Sequence, residues 1–557
     1  MNCLFVKVDW NGTLNSQAML ETCRFNNGII DLRIERISNF LFDNIGFFYN
    51  EKSKVVTAMV GYISNLEQVK STYGINHKDD VEIVERLYSL VKLEFISELD
   101  GIYSIAIFDF DRGKGYVFQD RYGSDLPIYY IGTENEFCFS TSLKQILRDV
   151  TFKRTLNVSA VNDFLYYKSI VPNSSTLIEY VNKLAPRQGL IIDLTTRCVD
   201  LVNVKRKHKT VSRTFAKNNI IKSIKTHTEV LVKQLSNGNP PSALSGGFDS
   251  NLLLHFLREA KGDVIDVITI GGKKINEVPQ TKRILDNYVG VKQIIRIVDE
   301  HALDYYPDIV WRTEGYVFEV GLFLKYEFAK AANGKKRTSV LVAECADQLL
   351  DIDRHAIRFK IMEMIWHLVQ RTPIINLSHF LGMKGVPDRF IKISRMHSKN
   401  QGYDITLDYI LKKSGLILNS FGIQGLYPFL NEDTRTMGIS LARLNHEKRL
   451  YKRQVSRLLG SRIAKNLCKI GGATDVVYLI DSRKELVLEI IKSAFISELV
   501  DKSLINRISN RPEQYPAFVL RLLYIYLFSE LFISGKYDST FGENEFINTL
   551  SSFPPMT

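Results

Sequence analysis

The chain has 557 residues and is 45% hydrophobic, so at least two domains are expected, because single cores seldom grow beyond about 250–300 residues. Its formal net charge of +12 suits an anionic ligand such as a nucleotide, and equally an RNA surface or a solvated basic face. The six cysteines contain no CxxC pair, which argues against a zinc site and a disulfide framework and favours a reducing compartment.

The sequence shows no sign of export or membrane insertion. The N-terminus MNCLFVKVDWNG lacks the basic and apolar regions of a signal peptide. The long apolar stretch at 517–535 is interrupted by Arg521 and Glu530 and favours a buried C-terminal helix over a membrane helix. We therefore expect a cytoplasmic protein.

Residues 1 to about 200 consist mainly of short β-type runs such as CLFVKV, VVTAMVGYI and YSIAIFDF, several of them broken by Gly, Asp or Asn turns. This pattern is typical of packed antiparallel sheets. One segment differs, because its apolar residues at 81, 83, 84, 87, 90 and 91 have helical spacing. It predicts a helix that covers one sheet face.

A change of pattern marks the domain boundary. In 203–214 apolar content falls and basic residues cluster, which favours a linker over a nucleic-acid-binding arm. We predict a first domain at 1–203, a linker at 204–215 and a second domain at 216–557. Strands and helices alternate after the linker, which predicts a parallel sheet with helices on both faces, and beyond about 355 the apolar spacing is mostly helical.

The stretch SALSGGFDS at 242–250 carries the main functional signal. A short apolar strand runs into a glycine-rich turn and then a helix-forming run, which directs backbone N–H groups and the positive helix end at an anion. A carboxylate at Asp249 beside a phosphate is unfavourable unless a cation such as Mg²⁺ joins them. The alternative interpretation is that the glycines only form a structural turn before the helix. The expected cofactor-binding residues are Ser245, Gly246, Gly247, Asp249 and Ser250.

SGGxDS after a strand resembles the pyrophosphate-releasing ATP loop of the asparagine synthetase family. VAECADQLL at 342–350 is similar to the family's SGEGSDELF. The resemblance implies that Asp347 and Asp249 hold Mg²⁺ and that Glu344 lies beside the attacking amine, where a general base is reasonable chemistry. The alternative is that Glu344 and Asp347 only cap the next helix.

Two later segments resemble the same family. GIQGLYPFLN at 422–431 is similar to GxExRxPFLD, but Gln, Leu and Asn replace its Glu, Arg and Asp. In 451–473, Lys469 best matches the lysine that the family delivers to the departing pyrophosphate, where negative charge accumulates. Lys465 is the second choice, and a solvated surface lysine is the alternative. Glu277 and Glu314 are expected to be structural.

The segment at 100–131 resembles a class II glutamine amidotransferase domain, whose motifs are near DGMFAFALYD and RDRFGxxPLYY. VGYISN at 60–65 then takes the place of NGEIYN, so Val60 replaces the asparagine of the oxyanion hole. The N-terminal cysteine nucleophile is also missing, because Asn2 follows Met1 and Cys3 lies one position too far along. The resemblance therefore implies a domain that does not hydrolyse glutamine.

A degenerate amidotransferase domain with a synthetase domain resembles the branch of β-lactam synthetase, carbapenam synthetase and the lasso-peptide macrolactam cyclases. The implied fold is α/β and α+β: an N-terminal antiparallel β-sandwich with helices, of Ntn-hydrolase type, then a parallel-sheet PP-loop ATP pyrophosphatase domain with a largely helical tail. The implied function is an AMP-forming ligase that uses ATP and Mg²⁺ on a carboxylate and takes the amine from the substrate itself. The expected reaction is macrolactam formation on a peptide, as in the lasso cyclases, or intramolecular lactam closure. For a lasso cyclase the expected partners are a precursor peptide and a protease.

Other functions stay open. Glu344 matches asparagine synthetases, whereas the β-lactam branch has Tyr there, so amidation of aspartate or a related carboxylate by free ammonia is the first alternative. An ATP-binding pseudoenzyme is the second. A nucleic-acid-modifying PP-loop enzyme is disfavoured, because many of these use catalytic or metal-binding cysteines that are not evident here. We expect no nucleic-acid partner.

Overall fold

The computed structural model describes most of the chain, and every structural statement below refers to that part. The described residues are 3–10, 21–25, 28–35, 46–123, 125–167, 174–204, 209–234, 240–262, 264–273, 276–316, 318, 320–335, 337–350, 401–441, 448–468 and 475–534.

The N-terminal part contains two six-stranded antiparallel sheets, with the orders β10-β8-β9-β1-β3-β2 and β12-β11-β7-β6-β5-β4. This confirms the prediction of antiparallel sheets. The strands are β1 (Cys3–Asp9), β2 (Glu21–Phe25), β3 (Gly28–Glu35), β4 (Gly46–Asn50), β5 (Val55–Ile63), β6 (Gly101–Asp109), β7 (Lys114–Gln119), β8 (Tyr129–Gly132), β9 (Glu136–Ser140), β10 (Asn182–Lys183), β11 (Gln188–Asp193) and β12 (Val199–Asn203).

Strand β5 is buried on both faces because successive side chains point to opposite sides of a sheet. Val56, Ala58, Val60 and Tyr62 enter the core shared with the first sheet. The alternate residues Val55, Met59 and Ile63 join a second core, which the helix at Asp80–Val91 completes. The helices of this part are α1 (Leu66–Tyr73), α2 (Asp80–Val91), α3 (Leu143–Asp149) and α4 (Val158–Tyr167). Helix α2 is the helix predicted from the apolar spacing.

The second part is built on a parallel five-stranded sheet of order β15-β14-β13-β16-β17, as the alternation of strands and helices predicted. Its strands are β13 (Ser242–Ala243), β14 (Ile265–Gly272), β15 (Val291–Val298), β16 (Ser339–Leu341) and β17 (Gln424–Leu426). The accompanying helices are α5 (Arg213–Gln234), α6 (Phe248–Lys261), α7 (Val278–Leu285), α8 (Tyr306–Thr313), α9 (Leu322–Asn333) and α10 (Ala346–Leu350).

The described remainder is helical, as predicted. Its helices are α11 (Gln401–Ser420), α12 (Glu432–Leu441), α13 (Arg449–Leu459), α14 (Ser461–Ala464), α15 (Val476–Ser482), α16 (Lys484–Ile491), α17 (Ala494–Leu499), α18 (Lys502–Asn510) and α19 (Pro516–Phe528). Among the described residues, one apolar span, Pro516–Ile533, is long enough to cross a membrane, but 61% of it is buried inside the protein. Helix α19 packs against α4, α8 and α16, which identifies it as a core helix.

Buried polar contacts join the two parts. Glu314 accepts hydrogen bonds from the Ser142 hydroxyl at 2.7 Å and the Leu143 N–H at 2.9 Å, so it caps α3 from the second part. Arg121, between β7 and β8, forms a buried ion pair with Glu432 at the start of α12. The last strand of the first part ends at Asn203 and α5 begins at Arg213, while the domain limits 1–203, 204–215 and 216–557 stay a prediction.

Candidate nucleotide-binding site

The glycine-rich turn connects the carboxyl end of β13 to the first turn of α6, as the sequence predicted. Asn251 is fully buried and holds the turn by donating to the carbonyl oxygens of Ser245 at 2.9 Å and Gly247 at 2.7 Å. The Ser245 and Ser250 hydroxyls lie 2.9 Å apart and hydrogen-bond to each other. The first N–H groups of a helix have no acceptor within that helix, so this end of α6 suits an anion.

Gly246 cannot be replaced without moving its neighbours. A Cβ at this position would lie 2.1 Å from Oε1 of Gln280 and 2.7 Å from the Cys468 carbonyl oxygen. The Gln280 amide donates to the carbonyls of Asn466 at 2.7 Å and Cys468 at 2.9 Å. The Cys468 N–H donates in turn to the Gly246 carbonyl at 2.9 Å. This backbone bond ties the segment at 466–468 to the glycine-rich turn.

The predicted pyrophosphate lysine follows that segment directly. Lys469 lies outside the described residues, so its assignment stays a prediction, although its neighbour Cys468 contacts the turn. Lys465, the second choice, is exposed at the end of α14. The segment that carries both lysines therefore contacts the turn through the backbone of Cys468. Within its described residues, no lysine side chain supplies a positive charge to the turn.

The two aspartates predicted to hold Mg²⁺ converge on a single point. Asp249 lies in the first turn of α6 and Asp347 in α10, which follows β16. Both carboxylates contact the ammonium group of Lys448, which lies 2.8 and 3.0 Å from the Asp249 oxygens and 2.7 Å from Oδ1 of Asp347. Burial lowers the pKa of Lys448, but the two carboxylates raise it by more, and the net direction is upward.

The residues fit the predicted cofactors. Mg²⁺ prefers oxygen ligands and is commonly held by one or two carboxylates together with substrate phosphates. Asp249 and Asp347 could supply the carboxylates, and the N–H groups of the first turn of α6 could bind the phosphates. Within the described part of the chain, no group of three or more His, Cys, Asp and Glu side chains is placed to hold a metal ion, so a metal here would also need ligands from the substrate.

Glu344 is a paired carboxylate. Lys325 forms an ion pair with its Oε1 atom, and the Ser414 hydroxyl donates to the same oxygen at 3.0 Å. Burial raises the pKa of Glu344, but the charges of Lys325 and Lys413 and these hydrogen bonds outweigh burial and lower it to about 2. In this arrangement Glu344 is ionised and is a weak base, so it is better suited to accepting hydrogen bonds from an amine than to removing its proton.

A buried carboxylate from the first part approaches the same region. Asp125, between β7 and β8, accepts hydrogen bonds from the Tyr427 hydroxyl at 2.9 Å on each oxygen. Burial raises its pKa to about 8, opposed by Tyr427 and Lys412 and reinforced by Asp120 and Glu344. Because Lys412 and Ser414 both belong to α11, this helix lies beside both carboxylates.

The segment at 422–431 keeps its structural role despite its substitutions. Gln424 and Leu426 lie in β17, which pairs in parallel with β16. Asn431 accepts from the Thr434 N–H at 2.8 Å and so caps α12, a position at which Asn and Asp serve equally well. Its amide also donates to the Pro428 carbonyl at 3.1 Å.

The amidotransferase-like part carries an apolar side chain at the position of the expected oxyanion donor. Val60 is fully buried in β5, opposite Ser104 of β6. The adjacent Gly61 has a φ of 102°, and a Cβ there would lie 2.0 Å from the Ile102 carbonyl oxygen, so only glycine fits. Cys3 is the first residue of β1, and its side chain lies outside the described part of the structure.

Two residues of the site were not predicted from the sequence. Lys448 lies in no motif, and only the folded chain brings it to Asp249, 199 residues away. Glu277 was expected to be structural, and its carboxylate accepts from the Gly246 N–H at 3.3 Å beside the turn. No local sequence pattern distinguishes either residue as part of the site.

Comparisons with known proteins agree with the order of these parts. Residues 45–199 match the glutamine amidotransferase domain family, and residues 232–414 match the asparagine synthase family. A putative glutamine-hydrolysing asparagine synthetase 2 of Methanocaldococcus jannaschii is 27% identical over 252 residues, which cover 43% of this chain and 47% of that protein. The glutamine-hydrolysing asparagine synthetase 2 of Bacillus subtilis is 26% identical over 227 residues, covering 38% and 30%.

A third relative, amidase chry2 of Gibberella zeae, is 22% identical over 326 residues, which cover 54% of this chain and 48% of that protein. The chain thus spans about half the length, or less, of the curated relatives it matches. Among solved structures, a glutamine phosphoribosylpyrophosphate amidotransferase from B. subtilis, complexed with ADP and GMP, is 10% identical with a TM-score of 0.24 and covers 53% of this chain and 75% of that one.

Proposed function

We propose that this chain, which carries the amidotransferase and asparagine synthase domains of the asparagine synthetase family, is an ATP-dependent carbon–nitrogen ligase. It would activate a carboxylate as its adenylate, release pyrophosphate, and let an amine displace AMP. The observation that carries the proposal is the convergence of Asp249, Asp347 and Lys448 beside the glycine-rich turn at the N-terminus of α6.

The first half-reaction takes place at the turn. The substrate carboxylate oxygen attacks the α-phosphorus of ATP, the bond to the bridging oxygen breaks, and pyrophosphate leaves. Backbone N–H groups and the hydroxyls of Ser245 and Ser250 would bind the phosphates. Mg²⁺, held by Asp249 and Asp347, would neutralise the negative charge of the phosphates. Lys469 is proposed as the further cation for the departing pyrophosphate, where negative charge develops.

The second half-reaction forms the amide. The amine attacks the acyl carbon, AMP leaves with the bonding electrons, and one proton is lost from the amine nitrogen. We assign Glu344 to accepting a hydrogen bond from that amine, because the Lys325 and Lys413 charges keep its carboxylate ionised. Glu344 would thereby orient the nitrogen, and the proton would pass to solvent or to the phosphate of AMP.

The amine would not come from glutamine hydrolysed in the N-terminal part. Val60 stands at the position of the expected oxyanion donor and has no side-chain donor. Loss of one oxyanion donor alone costs about 10²–10³ in rate in a hydrolase of this general kind. We therefore propose that the amine belongs to the substrate, as in macrolactam formation on a peptide or intramolecular lactam closure. A precursor peptide and a partner protease are the partners proposed for the peptide reaction.

Amidation of aspartate or a related carboxylate by free ammonia is the second candidate. It is favoured by the glutamate at position 344, which matches the residue of asparagine synthetases. The two candidates differ in where the nitrogen comes from, so they are separable by experiment. For either reaction a cytoplasmic location is proposed.

The test is ATP–pyrophosphate exchange with single carboxylates. Purified protein is incubated with MgATP, labelled pyrophosphate and either aspartate or a peptide encoded beside the gene. Exchange that depends on one acid identifies the adenylated substrate, and Asp249→Asn should abolish it. Retained exchange in that variant contradicts the assignment of the site. Glutamate release from glutamine by the wild type would contradict the proposed source of nitrogen.

A further inference from the structure

Lys448 occupies the point at which the proposed metal ligands meet. Its ammonium nitrogen lies within 3.0 Å of three oxygens, two from Asp249 and one from Asp347. The Lys448 side chain is only 4% exposed, whereas that of Asp347 is 42% exposed. The carboxylate pair is therefore open to solvent on one side and closed by an internal cation on the other.

An ammonium group and a divalent metal cannot share this point. Both would need the same carboxylate oxygens, and like charges at contact distance repel strongly in a partly buried site. Mg²⁺ also requires shorter contacts to oxygen, about 2.0–2.1 Å, than an ammonium group makes. Binding of Mg²⁺ by Asp249 and Asp347 together therefore requires Lys448 to leave.

A bound nucleotide would give the lysine a new partner. Asp249 belongs to the first turn of α6, the helix end that suits a phosphate, so a phosphate bound there lies close to the Lys448 ammonium. Lysine has a flexible stem and three rotatable donors, which allow it to exchange one anion for another. Lys448 also has a φ of 57°, a region that residues other than glycine seldom adopt.

We propose that Lys448 is an internal counter-ion that holds the metal position before the nucleotide binds and transfers to a phosphate when Mg²⁺ and ATP bind together. The inference rests on the proposed function, because it assumes that Asp249 and Asp347 are the metal ligands. Its consequence is mutual dependence: Mg²⁺ alone must compete with a tethered cation, whereas Mg²⁺ with ATP gives that cation somewhere to go. The site would thereby favour the complete MgATP complex over the free metal.

Calorimetry with MgCl₂ alone and with MgATP tests this inference. We compare the wild type with Lys448→Met, which keeps the length but removes the charge, and Lys448→Arg, which keeps a charge. Arg457→Met is the matched control, because it removes one positive charge from an exposed position of the same segment, in α13. Circular dichroism melts establish that each variant is folded.

We expect the wild type, Lys448→Arg and Arg457→Met to bind Mg²⁺ weakly in the absence of nucleotide. Lys448→Met should bind Mg²⁺ alone at least about tenfold more tightly, because no tethered cation competes for the two carboxylates. It should bind MgATP about tenfold more weakly, because the contact between the lysine and a phosphate is lost. A folded Lys448→Met variant with no gain in Mg²⁺ affinity would overturn the inference. Tight Mg²⁺ binding by the wild type without ATP would overturn it too, even if Lys448→Met does not fold.

The outcome is distinguishable from failure of the proposed function. If the wild type binds no MgATP at all, the ligase proposal fails. The gain of Mg²⁺ affinity in Lys448→Met would still report on whether the lysine holds the place of a metal between Asp249 and Asp347.

Discussion

Gly415 lies against Asp125, so a substitution of this glycine tests how closely the two parts of the chain fit together. Gly415 lies within α11, where replacement by alanine ordinarily stabilises a helix by about 1 kcal/mol. Here a Cβ would lie 1.9 Å from Oδ1 of Asp125, 2.3 Å from its Cγ and 2.8 Å from its Cβ. Gly415→Ala should therefore destabilise the protein instead.

The magnitude follows from what the new methyl group displaces. Overpacking a buried site costs about 1–3 kcal/mol. Moving Asp125 also weakens its two contacts with the Tyr427 hydroxyl, and a hydrogen bond of this kind contributes about 1 kcal/mol. After the helix propensity gain is subtracted, we expect the free energy of unfolding to fall by about 1–4 kcal/mol.

Urea denaturation followed by tryptophan fluorescence measures this change, since Trp311 lies on α8, which packs against α11. Gly334→Ala is the control, because its Cβ would meet nothing nearer than 3.4 Å. That control should change the free energy of unfolding by no more than about 0.5 kcal/mol. In an Asp125→Ala background, Gly415→Ala should lose its cost, because the clashing carboxylate is gone. An equal cost in both backgrounds would show that the contact with Asp125 does not cause the destabilisation.

Three further predictions concern other contacts. Burial raises the pKa of Asp125 to about 8, so the folded state keeps a proton that the unfolded state releases near the ordinary pKa of aspartate. The resulting contribution of Asp125 to the free energy of unfolding is fully present at low pH and is lost as pH rises toward 8. Asp125→Asn should therefore gain stability relative to wild type between about pH 5 and 8, by at most about 1.4 kcal/mol per pH unit in urea titrations, and a constant difference would contradict this. Asn431→Ala should cost about 1 kcal/mol in thermal unfolding, while Asn431→Asp keeps the cap of α12; equal losses would argue against capping. Glu344→Gln should keep ATP–pyrophosphate exchange but lower amide formation at least about tenfold, and parallel loss of both would contradict its assignment to the amine.

The parts of the fold that depend on local pattern were predictable from the sequence. Alternating runs predicted the antiparallel strands, helical spacing predicted α2, and the strand–helix rhythm predicted the parallel sheet. The order of two motifs predicted that Asp249 and Asp347 lie together. In the structure they follow the carboxyl ends of β13 and β16, which are parallel neighbours in the sheet.

Contacts between distant residues could not be predicted in the same way. Lys448 precedes α13 and meets its carboxylates only through the packing of that helix against α6, and no local spacing signals that contact. Three residues, including Asp125, separate Gly123 from Pro127, where the resembled motif has two. This difference gives no indication of the partner of Asp125, because Tyr427 lies 302 residues away along the chain. The ionised state of Glu344 likewise depends on Lys325 and Lys413, which converge on it from different helices.

The proposed ligase cleaves ATP between its α- and β-phosphates. Phosphorus NMR of the reaction mixture, with aspartate plus ammonium and with a peptide encoded beside the gene, identifies the products directly. We predict AMP and pyrophosphate in equal amounts with the correct acid, and neither product from Asp249→Asn. ADP with orthophosphate as products would contradict adenylation of the acid, and undiminished AMP formation in Asp249→Asn would contradict the proposed site.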